Sequence, residues 1–400
     1  MRRALPWLLP FLGLLAIGLL LAPPDGRADD RARKPLMDAP TREAIERGLR
    51  FLVRTQNADG SWTSDAGNKV NEEYAVPQGQ QNVHHVGVTA LGILAFIAAG
   101  HVPGRGPYGA VVDRAVAFLL SRVATDGFVA ADGTRMYSHA FATLAMAEVY
   151  GMSKAPDLRE KLQAAVELTA KCQNSTGGWR YVPGAVDSDM SVTVCQMTAL
   201  RAARNVGIRV KQSTIDAALK YVIESAITAD SNADRDEVGA FFYQPTSTHS
   251  NRSSFSLTAA GVCCLFQAGI YEDDQLEAYM SKRGTARNPP PSITQAVGYL
   301  ERNYAQVANQ YSRHYFYYYG NYYAAQAMYN VGGTEPARWD RWYDRVRRDL
   351  LSFEVRVPSP AGAPEESRWE SNIGSTSTFS TAVAILILSI PFDYLPIHQR

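Results

Sequence analysis

Two seven-residue stretches, QNADGSW at residues 56–62 and QNSTGGW at residues 173–179, share the pattern Q-x3-G-x-W and begin 117 residues apart. A shorter TDGFVA at residues 125–130 stands between them, so the interval reads as two periods of about 58 residues. A second signal agrees with the first. Apolar helical stretches end on Gly100, Gly151, Gly207, Gly269, Gly332 and Pro391, and the intervals of 51, 56, 62, 63 and 59 residues count out six units. Glycine just past the last turn takes a left-handed cap, and proline cannot continue the helix. A repeating chain cannot be divided into domains by length alone, so 400 residues need not mean two or three separate cores.

Each unit opens with an amphipathic helix and closes with a more uniformly apolar one. Val112, Val116, Leu119, Leu120 and Val123, or Ile215, Leu219, Val222 and Ala226, fall on one helical face at the 3, 4, 7 spacing. By contrast GVTALGILAFIAAG, FSLTAAGVCCLFQAG and STFSTAVAILILSI have almost no polar face, which predicts burial on nearly all sides. Six hairpins of this kind, with no polar terminal caps, are expected to close into an all-α fold, an α/α toroid of two concentric rings of helices.

Arg2 and Arg3 precede an apolar run at residues 4–22 and a polar stretch ending Gly26-Arg27-Ala28, the form of a secretory signal cleaved after Ala28. The reading is therefore a signal peptide at 1–28, a linker at 29–40, and one toroid domain at 41–400. It places the protein outside the cytoplasm, periplasmic or extracellular, with an uncleaved, membrane-associated form left open. Cleavage removes three of the 40 basic and one of the 39 acidic residues, leaving 37 and 38. A chain so near neutrality gives no electrostatic case for nucleic acid. The four cysteines, Cys172, Cys195, Cys263 and Cys264, sit in apolar helical stretches with no metal-ligand spacing. They read as core residues, with one disulfide left open. Neither a metal nor a cofactor is expected, and the protein is expected to be a monomer.

In a closed ring all inner helices run the same way, and the long connections, roughly 57–84, 173–188, 229–252 and 356–374, enter them at one end. That end collects His84 and His85, His139, Asp187 and Asp189, His249 and Arg252, and Arg313 and His314. Convergent polar groups at the mouth of an apolar ring form the usual pattern of a binding or catalytic site. Aspartate is also a preferred N-cap, so a purely capping role for Asp187 or Asp189 stays open. The run YFYYYGNYY at residues 315–323 could offer rings to a cation or to a sugar. DSNADRDEVGAF, residues 230–241, imitates a calcium loop but has Arg235 at the turn glycine and Phe241 at the final acid, and reads as a solvated loop.

The Q-x3-G-x-W copies, the six hairpins and DSDMSVT together resemble squalene/hopene cyclase-like repeat proteins of the terpenoid cyclase and protein prenyltransferase superfamily. The resemblance covers nearly the whole mature chain. It implies that Gln56, Trp62, Gln173 and Trp179 tie outer helices together. It also implies that Asp187 and Asp189 match the first and middle acids of the cyclases' D-x-D-D motif, although Met190 stands where the third acid belongs. The expected ligand is then a hydrophobic polyisoprenoid-like small molecule. If the protein is catalytic, Asp189 would be the general acid, Asp187 and His139 would tune it, and Tyr317, Tyr318 and Tyr322 would stabilise positive charge. A zinc-dependent prenyltransferase is set aside because no D-x-C pair exists. The first alternative is a polysaccharide-active α/α barrel, a lyase or hydrolase, using the tyrosines with His84, His139, His249, Arg252 and Arg313. The second is a non-catalytic binding or scaffold protein.

Overall fold

The computed structural model describes residues 37–398 except 67–79, 132, 154, 232, 246–252, 359–361 and 372–375. The expected signal peptide, His249 and Arg252 therefore lie outside the described residues. No helix among the described residues is long and apolar enough to cross a membrane.

The inner helices are α2 (Val86–Ala98), α4 (Met136–Tyr150), α6 (Met190–Asn205), α8 (Phe255–Gln267), α11 (Tyr315–Gly332) and α13 (Ser377–Ser389). Each packs on the next, and α13 returns to α2, closing the ring. Outside them lie α1 (Ala39–Thr55), α3 (Gly109–Ser121), α5 (Leu158–Lys171), α7 (Gln212–Ser225), α10 (Ile293–Gln310) and α12 (Pro336–Phe353), with α9 (Asp273–Arg283) inserted in the fifth unit. The fold is the α/α toroid that the repeats predict. Every residue of α2 is buried, while α1 buries one stripe containing Ala44, Ile45, Leu49 and Leu52. Of the predicted stops, Gly100, Gly207 and Gly269 take positive φ. Gly151 is right-handed, and Gly332 is the last residue of α11.

The repeat motif holds neighbouring hairpins together, and its geometry recurs. Gln56 donates to the carbonyls of Gly60 (3.0 Å) and Val111 (2.9 Å), and Gln173 to those of Gly177 (2.7 Å) and Thr214 (2.9 Å). Each glutamine so reaches from the end of one outer helix to the start of the next. The indole N–H of Trp62 donates to Leu52 O, that of Trp179 to Thr169 O and that of Trp369 to Leu350 O, at 2.8, 2.8 and 2.6 Å. Satisfying that polar atom lets a large ring be fully buried. The motif glycine has φ of +91° at Gly60 and Gly127, +93° at Gly177 and +95° at Gly239. At each position a Cβ would strike the backbone of the next outer helix, as at 2.2 Å from the Arg114 carbonyl for Gly60. The calcium-loop look-alike is thereby explained: Gly239-Ala240-Phe241 is a diverged copy of the motif, with Phe241 buried where tryptophan stands elsewhere.

Two short antiparallel sheets occupy long loops. One joins β1 (Thr63–Ala66) to β2 (Gln80–His84) and the other joins β3 (Val355–Val357) to β4 (Glu366–Arg368). Ion pairs close the seam between first and last units: Arg47 grips Glu354 through two hydrogen bonds of 2.8 and 3.1 Å, and Arg347 meets Asp38 at 2.5 Å.

Candidate functional site

The predicted polar ring at the start of the inner helices is in large part a ring of caps. Four orphan N–H groups open every helix, and a side-chain acceptor at the N-cap satisfies one of them. His85 Nδ1 accepts from Val88 N–H (3.2 Å), Asp189 Oδ1 from Val192 N–H (2.9 Å), Ser254 Oγ from Leu257 N–H (3.2 Å) and His314 Nδ1 from Phe316 N–H (3.0 Å). Burial pushes His85 down to about 4 and lowers His314, so both stay neutral acceptors near pH 7.

His139 lies elsewhere. Four residues after each cap, Thr89 and Thr193 accept the backbone N–H of the motif tryptophan through Oγ1, at 3.0 and 3.2 Å, and Thr381 does the same for Trp369 at 3.0 Å. In the second unit His139 Nδ1 accepts the N–H of Val129 at 3.2 Å, while Nε2 meets Thr169 Oγ1 at 2.9 Å. The histidine thus stands in for a structural threonine, facing the outer ring, and burial lowers it to about 4. Both of its nitrogens are engaged there, with Val129 and Thr169 rather than with Asp189. His84 is exposed beside β1, its Nδ1 2.6 Å from Asp59 Oδ2 and 2.9 Å from Ser61 Oγ. One ring nitrogen serves both partners, so this Ser, His and Asp group does not form the relay of a hydrolase triad.

The third unit differs. Asp189 is fully buried, with Oδ1 also accepting from Ser191 Oγ at 2.5 Å and Oδ2 accepting from Arg180 Nη1 at 2.9 Å. Burial raises its pKa, against the opposing effects of Ser191, Arg180 and the Val192 N–H. Arg180 Nε lies 3.2 Å from Asp187 Oδ2, which also accepts from Gln244 Nε2 at 3.2 Å. Asp187 keeps about half of its side chain exposed (54%). The guanidinium carbon sits 4.5 Å from the Tyr181 ring centre and 5.6 Å from that of Tyr243, whose hydroxyls bond to each other. Burial opposes the charge of Arg180, but Asp189, the two tyrosines and Asp187 together more than offset it and the pKa is raised. One cation is so held between two carboxylates and two aromatic faces.

Around this knot, Tyr137 is hydrogen-bonded to Ser191 Oγ at 2.6 Å, and its ring lies 6.0 Å from that of Tyr181. Tyr319 donates to Ser191 O at 2.8 Å and stacks on Tyr315, which stacks in turn on Phe379. Tyr137, Tyr181, Tyr315 and Phe379 are only partly buried. The tyrosine run divides by helical phase. Tyr315, Tyr319 and Tyr322 recur at i, i+4 and i+7 on one face, with Tyr322 against Phe141 of α4. Tyr317 turns outward to Tyr304 and Phe353, and Tyr318 bonds to Glu370 O at 3.0 Å. Arg313 has φ +55° and lies over Phe353. Arg180, Tyr181, Tyr243, Tyr137 and Tyr319 were not singled out from the sequence. Phase along α11 points to Tyr319, and the place of Arg180 directly after the motif tryptophan points to it. Tyr243 carries no local signal.

No family profile and no curated protein matches the chain in sequence. Solved structures do match in fold. The cellobiose 2-epimerase of Spirochaeta thermophila aligns at TM-score 0.55 and 13% identity, covering 88% of this chain and 96% of that one. An inactive variant of the α-1,6-mannanase of Salegentibacter, with two consecutive aspartates replaced by asparagine and α-1,6-mannotriose bound, aligns at 0.54 and 8%, covering 88% and 99%. An unsaturated glucuronyl hydrolase specific for heparin aligns at 0.53 and 10%, covering 88% and 96%. These neighbours are sugar-active toroids, and they correct the resemblance to squalene/hopene cyclases and the polyisoprenoid ligand that it implied. The geometry gives the physical reason. An acid that protonates an alkene must hold its proton toward the substrate, whereas Asp189 is turned back onto Val192 N–H and Ser191, is paired with Arg180, and has neither Tyr317 nor Tyr318 as a hydrogen-bond partner.

Proposed function

We propose that this protein binds a carbohydrate chain at the N-terminal mouth of its inner ring and acts on it by proton transfer at Asp187. The observation that carries the reading is an exposed carboxylate, Asp187, fixed beside a guanidinium among partly exposed aromatic rings. Aromatic faces stack on the C–H faces of sugars, and hydroxyls at their rims supply hydrogen bonds. A general acid or base must reach the proton that it moves, and of the two aspartates only Asp187 is open to solvent. Arg180 and Asp189 are then positioning residues, which hold Asp187 and Tyr181 in place. The sugar-active proteins that share the fold support this reading over the other two drawn from the sequence. Binding without turnover is a second reading, favoured by one observation. Glycoside hydrolysis uses two carboxyl groups, and both oxygens of Asp189 are already engaged.

The test pairs a panel of oligosaccharides, screened by calorimetry and by reducing-end release, with the variant Asp187→Asn. Turnover should fall by about a hundredfold or more while glycan affinity changes little. Undiminished turnover removes Asp187 from the chemistry, and absence of binding to every glycan overturns the reading as a whole.

A further inference from the structure

Among the described residues, three large apolar side chains stand exposed, and two of them, Val182 (48%) and Val186 (87%), lie on the single loop between Tyr181 and Asp187. Contiguous exposed apolar surface, unlike single scattered residues, is a mark of contact surfaces. Here the loop does not choose its own conformation. Tyr181 O accepts from Met136 N–H at 3.0 Å, Ala185 N–H turns back to Val182 O at 3.4 Å, and Asn174 Nδ2 holds Asp187 O at 2.5 Å. Gly184, at φ +75°, makes the turn. Pinned at both ends and turned on itself in the middle, the loop holds Val182 and Val186 out in water beside the carboxylate assigned to chemistry.

Resting on the carbohydrate reading above, we infer that the ligand of this mouth is a glycoside carrying an apolar alkyl or aryl group on its sugar, with the sugar on the tyrosines and the apolar group against Val182 and Val186. Magnitudes favour a small occupant. Two valines present far less surface than the roughly 1,000 Å² that a specific protein interface needs. They also bury less than a single acyl chain, which alone holds a protein to a membrane only marginally. One aglycone of a few carbons matches them. The exposed carboxylate of Asp187 next to Val186 also disfavours an anionic membrane surface.

The experiment compares methyl and n-hexyl glycosides of glucose and mannose, below micellar concentrations, by calorimetry on the wild type and on Val182→Ser/Val186→Ser. Both positions are exposed, so the fold should tolerate the change. The hexyl glycoside should bind about tenfold more tightly, the effect of burying roughly two methylene groups, and the double variant should lose that advantage while holding the methyl glycoside as before. Equal affinity for hexyl and methyl glycosides overturns the inference and leaves the carbohydrate reading standing. Failure of every glycoside and every oligosaccharide to bind overturns both. Cosedimentation with phosphatidylcholine vesicles that depends on the two valines overturns it in favour of a membrane.

Discussion

The first and third units contain the same lock built around different neighbours. In both, a glutamine bridges two outer helices, a left-handed glycine presses on the next helix, and a buried tryptophan is held by an outer-helix carbonyl and an inner-helix threonine. Even the caps correspond: His85 N–H donates to Trp62 O at 2.9 Å and Asp189 N–H to Trp179 O at 3.0 Å. The difference begins one residue past the tryptophan. In the first unit Thr63 starts a β-strand, whereas in the third Arg180 turns between two tyrosines and gathers both carboxylates. The scaffold repeats and the candidate site does not, because the lock spends its hydrogen bonds on backbone groups and leaves the following residue free to vary.

The largest effect should come from the shared part. Trp62→Ala and Trp179→Ala should each cost about 3–5 kcal/mol, measured by urea denaturation. Similar losses would confirm one lock used twice, and a large disparity would break the equivalence. Next comes the part special to the third unit. Arg180→Gln leaves the buried carboxylate of Asp189 without its counter-ion and should cost about 3 kcal/mol, with most of it recovered in Arg180→Gln/Asp189→Asn. A cycle without such recovery would show that the arginine acts by packing on its tyrosines.

The smallest effect concerns the second unit and sharpens the comparison by pH. The folded pKa of His139 is about 4 against 6.5 for the free group, so the unfolded chain binds the extra proton between those values. Its contribution is fully present above pH 6.5 and is lost as pH falls toward 4. His139→Thr, the residue of the equivalent positions, should flatten this acid limb by up to one proton while costing some packing at pH 7. An unchanged slope would mean that His139 is not buried as a neutral acceptor.

Much of the architecture was legible before folding. Glycine spacing and apolar periodicity predicted six hairpins, because helix stops and buried faces are local requirements. The place of His85, Asp189 and His314 at the starts of inner helices was legible too, although caps and reactive groups share the same residue types there. His85 and His314 look like ligands in sequence and act as acceptors for their own helices. The fourth motif copy went unread because Phe241 replaces tryptophan, and only the φ of Gly239 and its contact with Gln295 reveal it.

By itself, then, the sequence determined the ring: repeat number and the division into inner and outer helices. These follow from periodicity and from the few residues that end a helix. Tertiary structure decided which of two aspartates is buried: Asp189 caps α6 beneath the Arg180 side chain and the Tyr243 loop, more than fifty residues away, while Asp187 stays half exposed at their edge. It decided the tyrosine run in the same way, by the phase in which α11 meets α6 and α12. Burial and charge pairing between distant segments carry no local pattern, and the candidate site is made of both.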